Sequence, residues 1–340
     1  MQLKKLFYLL MVLPFLFIYT GCSKDESNPT QPETKVNEAQ VLAEYLEANG
    51  DFLSTTAPAI ISAQDVHDLQ LTKPDKIYII DIRSSADFQN KGHIAGAKNV
   101  SLKDVVSHVK GINASSYERI VVACYSGQTA GMAVTFLRLL GYNNVFSLKW
   151  GMSSWNSTAC SSWSMSAIGN NYTNFSSTAT AKNAAGELPT ITTGKTTGKE
   201  ILEERINQLL ASTSASPFDD IKIAYGTVTG NLSNYYIVNY WPAAQYNLGH
   251  LPGAVQYTPK ADLKLSASLK TLPTNKPVVV YCYTGQTSAQ VATYLKLLGY
   301  DAKTLMFGVN VMNYDWMGSN GIPSQWTQAE VKEYDVVTGQ

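Results

Sequence analysis

One stretch is written twice in this chain. Residues 121–130 read Val-Val-Ala-Cys-Tyr-Ser-Gly-Gln-Thr-Ala, and residues 279–288 read Val-Val-Tyr-Cys-Tyr-Thr-Gly-Gln-Thr-Ser. Each copy is a short apolar run, a cysteine, a polar turn with glycine, and a segment that closes on Leu-Leu-Gly-Tyr. Cys282 stands 158 residues after Cys124, and Gly299 stands the same distance after Gly141. The match also extends upstream. Gly92-His93-Ile94-Ala95-Gly96-Ala97 pairs with Gly249-His250-Leu251-Pro252-Gly253-Ala254, and Ile79-Ile80-Asp81-Ile82-Arg83 pairs with Ile237-Val238-Asn239-Tyr240-Trp241. Two copies of about one domain length are a duplication, because a solenoid would need a shorter period and more units.

Within a copy, apolar runs such as residues 77–82 and 120–123 read as buried strands. The segment 129–140, with Val134, Leu137 and Leu140 on one face, reads as a helix, as do 38–47 and 199–210. Strands alternating with helices imply an α/β architecture, a mainly parallel sheet covered on both sides. The cysteine then sits at a strand-to-helix corner, where open α/β sheets place ligands. Such a corner aims backbone N–H groups and the positive end of a helix dipole at the sulfur, which favours the thiolate.

Composition narrows the function classes. Twenty-six basic and 26 acidic residues cancel, and no lysine/arginine cluster lies outside the extreme N-terminus, so nothing favours nucleic acid as a partner. The four cysteines, Cys22, Cys124, Cys160 and Cys282, have neither zinc-site spacing nor the density of a disulfide scaffold. At the N-terminus, Lys4 and Lys5 precede an apolar run from Leu6 to Tyr19 that closes on Thr20-Gly21-Cys22. This run is short for a membrane span. It resembles a bacterial lipoprotein signal peptide over residues 1–21, which implies lipidation of Cys22. Residues 22–35 then read as a flexible tether, and Lys24-Asp25-Glu26 resembles the surface-export signal of Bacteroidota lipoproteins. The expected location is extracytoplasmic, in the cell envelope, lipid-anchored to the outer membrane of a Gram-negative bacterium. The first domain is expected over 36–155 and the second over 198–340. A Ser/Thr/Asn-rich linker is expected over 156–197, which Trp163, Tyr172 and Phe175 could pin across both domains.

Taken together, Ile-Asp-Ile-Arg, Gly-His-Ile-Ala-Gly-Ala and Cys-Tyr-Ser-Gly-Gln-Thr before a helix ending Leu-Gly-Tyr resemble a rhodanese domain. The resemblance covers residues 60–155 and, as a second copy, 200–318. It implies two tandem rhodanese-like domains and a sulfurtransferase of the thiosulfate or 3-mercaptopyruvate type. In that family a cysteine takes sulfane sulfur from a small donor, holds it as a persulfide, and passes it to a thiol or other thiophilic acceptor. A persulfide is an anion at neutral pH, and a ring of backbone N–H groups would stabilise it. The resemblance makes Cys124 and Cys282 the sulfur carriers and implies no metal or organic cofactor. It makes Tyr125, Ser126, Gly127, Gln128 and Thr129, with Tyr283, Thr284, Gly285, Gln286 and Thr287, the substrate-binding loops.

Loop length argues against the related phosphatase and arsenate-reductase chemistry. Those loops are one residue longer and end in an arginine that grips a tetrahedral oxyanion, whereas Thr129, Ala130, Thr287 and Ser288 occupy the candidate positions here. The donor stays open, because neither loop places a cation after the cysteine. Most tandem members keep a cysteine only in the second copy, and this chain has one in each. Asp81 and Arg83, which the family pattern implies brace the active loop, are Asn239 and Trp241 in the second copy. These departures leave an alternative of another class: a non-catalytic rhodanese-like module that binds or senses redox state. Cys160 reads as a passive thiol, with resolution of an oxidised Cys124 as the other role. His93 and His250 read as structural hydrogen-bonding residues.

Overall fold

The computed structural model describes residues 37–164 and 168–339. The expected signal peptide, the whole tether and Cys22 lie outside the described residues. The first half contributes strands β1 (Ile60–Ile61), β2 (Ile77–Asp81), β3 (Lys98–Asn99), β4 (Arg119–Ala123) and β5 (Val145–Leu148). The second half contributes β6 (Lys222–Ile223), β7 (Tyr236–Asn239), β8 (Val255–Gln256), β9 (Val278–Tyr281) and β10 (Ala302–Leu305). They form two five-stranded sheets, ordered β1-β5-β4-β2-β3 and β6-β10-β9-β7-β8. Every pairing is parallel. The central strands β4 and β9 are Val/Ile-rich and buried, as both-sided cover requires. From β2 the chain steps outward to β3, then returns to β4 and proceeds to β5 on the other side. The reversal at β2/β4 opens a crevice at the strands' carboxyl ends, and the cysteine loops emerge there.

Each loop feeds a helix, Gln128–Leu139 in the first half and Gln286–Leu297 in the second. The one-sided apolar pattern of these helices would suit a single buried face, yet their sides are buried almost all round. One face covers the helix's own sheet, and the other meets its counterpart from the other half. Small residues permit the approach. A methyl group added at Gly131 would lie 3.2 Å from Ala289 Cβ and 3.4 Å from the Gln286 carbonyl. Both sheets consequently belong to one compact unit.

The segments that follow each half cross to the other. Gly169 and Tyr172 donate their backbone N–H groups to the carbonyls of Asn310 and Met312, and Ser176 bridges His250. In return, Lys332 and Tyr334 donate to Ser154 and Trp155, and Val337 bridges His93. Residues 156–197 therefore do more than connect: Trp163, Ile168, Leu188 and Ile191 are buried. Trp163 stacks on Trp326, ring centroids 5.6 Å apart, and both lie edge-on to Trp150. At the other end, helix Glu38–Ala48 packs on helix Gly198–Leu210. No described helix is long and apolar enough to cross a membrane.

Overpacking a tight helix crossing costs about 1–3 kcal/mol. Gly131→Leu is expected to lower stability by at least that amount. Urea unfolding followed by tryptophan fluorescence and by far-UV circular dichroism should show one coincident transition, because the interface belongs to both halves.

Candidate active site

Cys124 leaves β4 and Cys282 leaves β9, and in each loop the chain must reverse before its helix begins. Gly127 and Gly285 make that turn at φ of +79° and +77°, a left-handed conformation that side chains disfavour. The turn points amides at the first sulfur. Cys124 Sγ accepts from the N–H groups of Gly127 at 3.1 Å and Ala130 at 3.3 Å, and also interacts with that of Ser126. Cys282 Sγ accepts from Ser288 N at 3.4 Å and donates its S–H to Ser288 Oγ at 3.6 Å. The first ring is thus the more complete. The last donor of each ring is Ala130 or Ser288, residues that stand outside the six-residue motif.

Burial works against these amides. Only 1% of Cys124 and 2% of Cys282 is exposed. Burial pushes the Cys124 thiol above its ordinary value, and the N–H groups of Ala130, Ser126 and Gly127 only partly counter it. The expectation that the corner by itself favours the thiolate is corrected at Cys124, where desolvation outweighs the amide ring.

The tyrosine after each cysteine is clamped. Tyr125 donates its hydroxyl to Asp87 Oδ2 at 2.5 Å, and Lys91 sits 2.7 Å from the other oxygen. The Lys91 and Tyr125 hydrogen bonds together hold the Asp87 carboxyl at about 2. In the second half Tyr283 donates to Gln245 Oε1, the equivalent position. The carbonyls behind both tyrosines are held alike. Ser153 Oγ donates to Tyr125 O at 3.0 Å, and Asn310 Nδ2 donates to Tyr283 O at 2.8 Å. Trp163 Nε1 donates to Ser126 O at 3.0 Å, so a residue of the expected linker holds the first loop.

Asp81 and Arg83 form a buried ion pair, Nη2 to Oδ2 at 2.7 Å. Arg83 spends its remaining donors on Ala159 O at 3.1 Å and Gly92 O at 2.8 Å. Its contact with the loop is through the Tyr125 ring, whose centroid lies 5.9 Å from Cζ. The pair therefore ties the Gly-His turn to the segment after the first half, and meets the loop at that ring. In the second copy, Asn239 Nδ2 donates to Tyr281 OH at 2.8 Å. Trp241 stacks on Tyr283 with centroids 5.0 Å apart and planes 7° from parallel. An indole thus takes the place of the guanidinium beside the loop tyrosine.

Gln128 and Gln286 require a correction as loop residues that bind substrate, since both side chains turn away into the interface. Gln286 Oε1 accepts from Trp150 N at 2.8 Å, and Gln128 Oε1 accepts from Phe307 N at 2.9 Å. Ser126 Oγ is likewise engaged, accepting from Gln128 Nε2 at 3.0 Å, and Thr284 Oγ1 accepts from Gln286 N at 3.2 Å. Thr129 and Thr287 remain half-buried at the helix starts. Thr129 lines a cavity of about 320 Å³ with Ser84, Asn99, Ser101 and Lys103 of its own half and Ser216 of the other. Lys103 supplies a cation that sequence motifs did not reveal, because it belongs to neither the cysteine loop nor the Gly-His turn. Among the described residues, no group of three or more His, Cys, Asp or Glu side chains is arranged to hold a metal ion.

His93 and His250 face backbone: Nδ1 of each lies 2.8 Å from the carbonyl of Phe88 or Tyr246. Cys160 Sγ contacts Tyr125 O at 3.3 Å and the hydroxyls of Ser153 and Ser162.

The model of the rhodanese-like domain family matches residues 62–158 and 231–315. The chain belongs to the rhodanese-like family. Its two halves are tandem rhodanese-like α/β domains. One relative is the thiosulfate sulfurtransferase GlpE of Shewanella oneidensis, 36% identical over 87 residues, which are 26% of this chain and 83% of the relative. Its namesake in Pseudomonas putida is 30% identical over 90 residues, 26% of this chain and 79% of the relative. Among solved structures, a rhodanese-related protein of Thermoplasma volcanium covers 28% of this chain and 87% of its own, at 25% identity and a TM-score of 0.24. A thiosulfate sulfurtransferase of Pseudomonas aeruginosa covers 81% of this chain and 47% of its own, at 15% identity and a TM-score of 0.29.

The raised Cys124 value gives a direct expectation for pH dependence. Only the thiolate is alkylated, and folding disfavours it. Iodoacetamide labelling of Cys124, quantified on its peptide by mass spectrometry, should rise through a more alkaline midpoint in the folded protein than in urea. Coincident midpoints would show that burial does not control this thiol.

Proposed function

We propose that this protein is a sulfurtransferase that holds sulfane sulfur as a persulfide on Cys124 and on Cys282, with Cys124 in the better-assembled site. The observation that carries the proposal is the set of backbone N–H groups converging on Cys124 Sγ in a chain of the rhodanese-like family. With thiosulfate as donor, the Cys124 thiolate attacks the outer sulfur, the donor S–S bond breaks, and sulfite leaves with the electron pair. With a mercapto acid, the C–S bond breaks and the carbon keeps the pair as an enolate, which is then protonated. The persulfide anion extends from a site lined with fixed amide dipoles that need no reorganisation to receive it. A thiolate or cyanide then attacks the outer sulfur, and the cysteine thiolate departs. Thr129 and Lys103 beside the cavity favour an anionic donor, and the names of the curated relatives favour thiosulfate.

The near-complete burial of both sulfurs favours a second function, a thiol module that binds or senses without turnover. Intact-mass analysis separates the two. The reduced protein is incubated with thiosulfate or 3-mercaptopyruvate beside Cys124→Ser and Cys282→Ser. The expected result is a gain of up to two sulfurs that an added thiol removes, with Cys124→Ser removing the larger share and Cys282→Ser the remainder. No gain with either donor would place the sensing function first.

The proposal places this chemistry outside the cytoplasm, on a lipid carried by Cys22. It rests on the basic, apolar and Thr-Gly-Cys succession of the N-terminus. Cys22→Ser should move the protein from the membrane to the soluble fraction after cell disruption, as read by immunoblot. Unchanged fractionation would remove the anchor from the proposal.

A further inference from the structure

Each cysteine loop is completed by a side chain from the other half. The Gln286 carbonyl oxygen, belonging to the Cys282 loop, accepts the N–H of Trp150, while that of Gln128, from the Cys124 loop, accepts the N–H of Phe307. Trp150 and Phe307 hold φ of +64° and +61°, conformations unfavourable for aromatic residues. The strained turn directs each amide at the incoming glutamine. Directly after it, Met152 donates to Cys124 O at 2.8 Å and Val309 donates to Cys282 O at 3.2 Å. The glutamine of one loop therefore fixes the segment that grips the cysteine of the other.

A second contact runs the same way. A Cβ built on Gly127 would collide with Gln286 Oε1, and one on Gly285 would collide with Gln128 Oε1. Each glutamine is thus laid against the bend of the opposite loop, at the glycine immediately before that loop's helix. The halves also exchange lysines at the same ends of their sheets: Lys103 Nζ donates to Ser212 O at 3.0 Å, and Lys260 Nζ donates to Thr55 O at 3.3 Å.

We infer that Gln286 is a positioning residue for Cys124, and Gln128 for Cys282, so that the reactivity of each thiol is set in trans by the other half. The inference deepens the sulfur-carrier proposal by coupling its two sites. A loop that opens to admit a donor must shift its own glutamine, and that shift loosens the support of the opposite cysteine. In this arrangement Gln128 has two tasks, because its Nε2 also holds Ser126 of its own loop. Gln286 offers the cleaner test.

The test reads thiol reactivity and not sulfur transfer, so it stands or falls separately from the sulfur-carrier proposal. The parent protein, Gln286→Met, Gln128→Met and Val291→Ala are labelled with iodoacetamide across a pH series, and the Cys124 and Cys282 peptides are quantified separately. Methionine fills the space of glutamine without its acceptor, which limits loss of folding. Val291→Ala creates a cavity in the same helix away from Trp150, and reports what destabilisation alone does. Loss of one hydrogen bond corresponds to a rate change of roughly two- to tenfold. Gln286→Met is expected to raise Cys124 labelling by that factor and move its midpoint toward that of the unfolded thiol, while changing Cys282 less. Gln128→Met is expected to raise Cys282 labelling. The inference is overturned if Gln286→Met acts mainly on Cys282, if Gln128→Met leaves Cys282 unchanged, or if Val291→Ala shifts the Cys124 midpoint as far.

Discussion

Gly131 and Ala289 bring the two loop helices side by side with nothing bulky between them, and the surroundings of both cysteines follow from that approach. With the helices in contact at this level, the glutamine at each helix start lies within reach of the other half's backbone. The loops cannot then be treated as separate units. The exchanged segments strengthen the dependence, since residues 168–180 line the second half and residues 331–337 line the first.

At the first sulfur two opposed effects set the chemistry. Amides at 3.1 and 3.3 Å favour a negative charge, while a site sealed from water penalises it. Burial prevails for the resting thiol, as the raised Cys124 value shows. The amide ring gains importance once a charge is held there, because dipoles fixed in advance cost nothing to reorient. A neutral resting thiol in a sealed loop is also protected from oxidation, which proceeds through the exposed thiolate.

The two halves reach a similar geometry with different chemistry. Beside Tyr125 stands a guanidinium that is itself locked to Asp81, and beside Tyr283 stands the flat face of Trp241. The phenol clamp is a carboxylate in one half and an amide in the other, Asp87 against Gln245. Removing one member of a buried ion pair leaves an uncompensated charge at a cost of about 3–5 kcal/mol. A second half built without that pair has no such liability, and has instead Asn239 Oδ1 and Trp241 Nε1 buried without a hydrogen-bond partner among the described residues.

The duplication, the parallel α/β class, the strand-loop-helix corner and the two cysteines were legible in the sequence. Repeated motifs and hydrophobic periods are local, and a thiol between an apolar run and a helical run has few places to be. Lys103, Trp150 and Phe307 carried no comparable signal, and Trp163 was legible as a pin for the linker but not as a donor to the cysteine loop, because each meets its loop across many residues or from the other half. The two glutamines were visible as loop residues but not as links between halves, since a motif names a residue without saying which way its side chain turns. Charge state at the sulfur was decided in tertiary structure as well. The sequence supplied the amides and the helix dipole, and only the packing of two domains determined how much water would be removed.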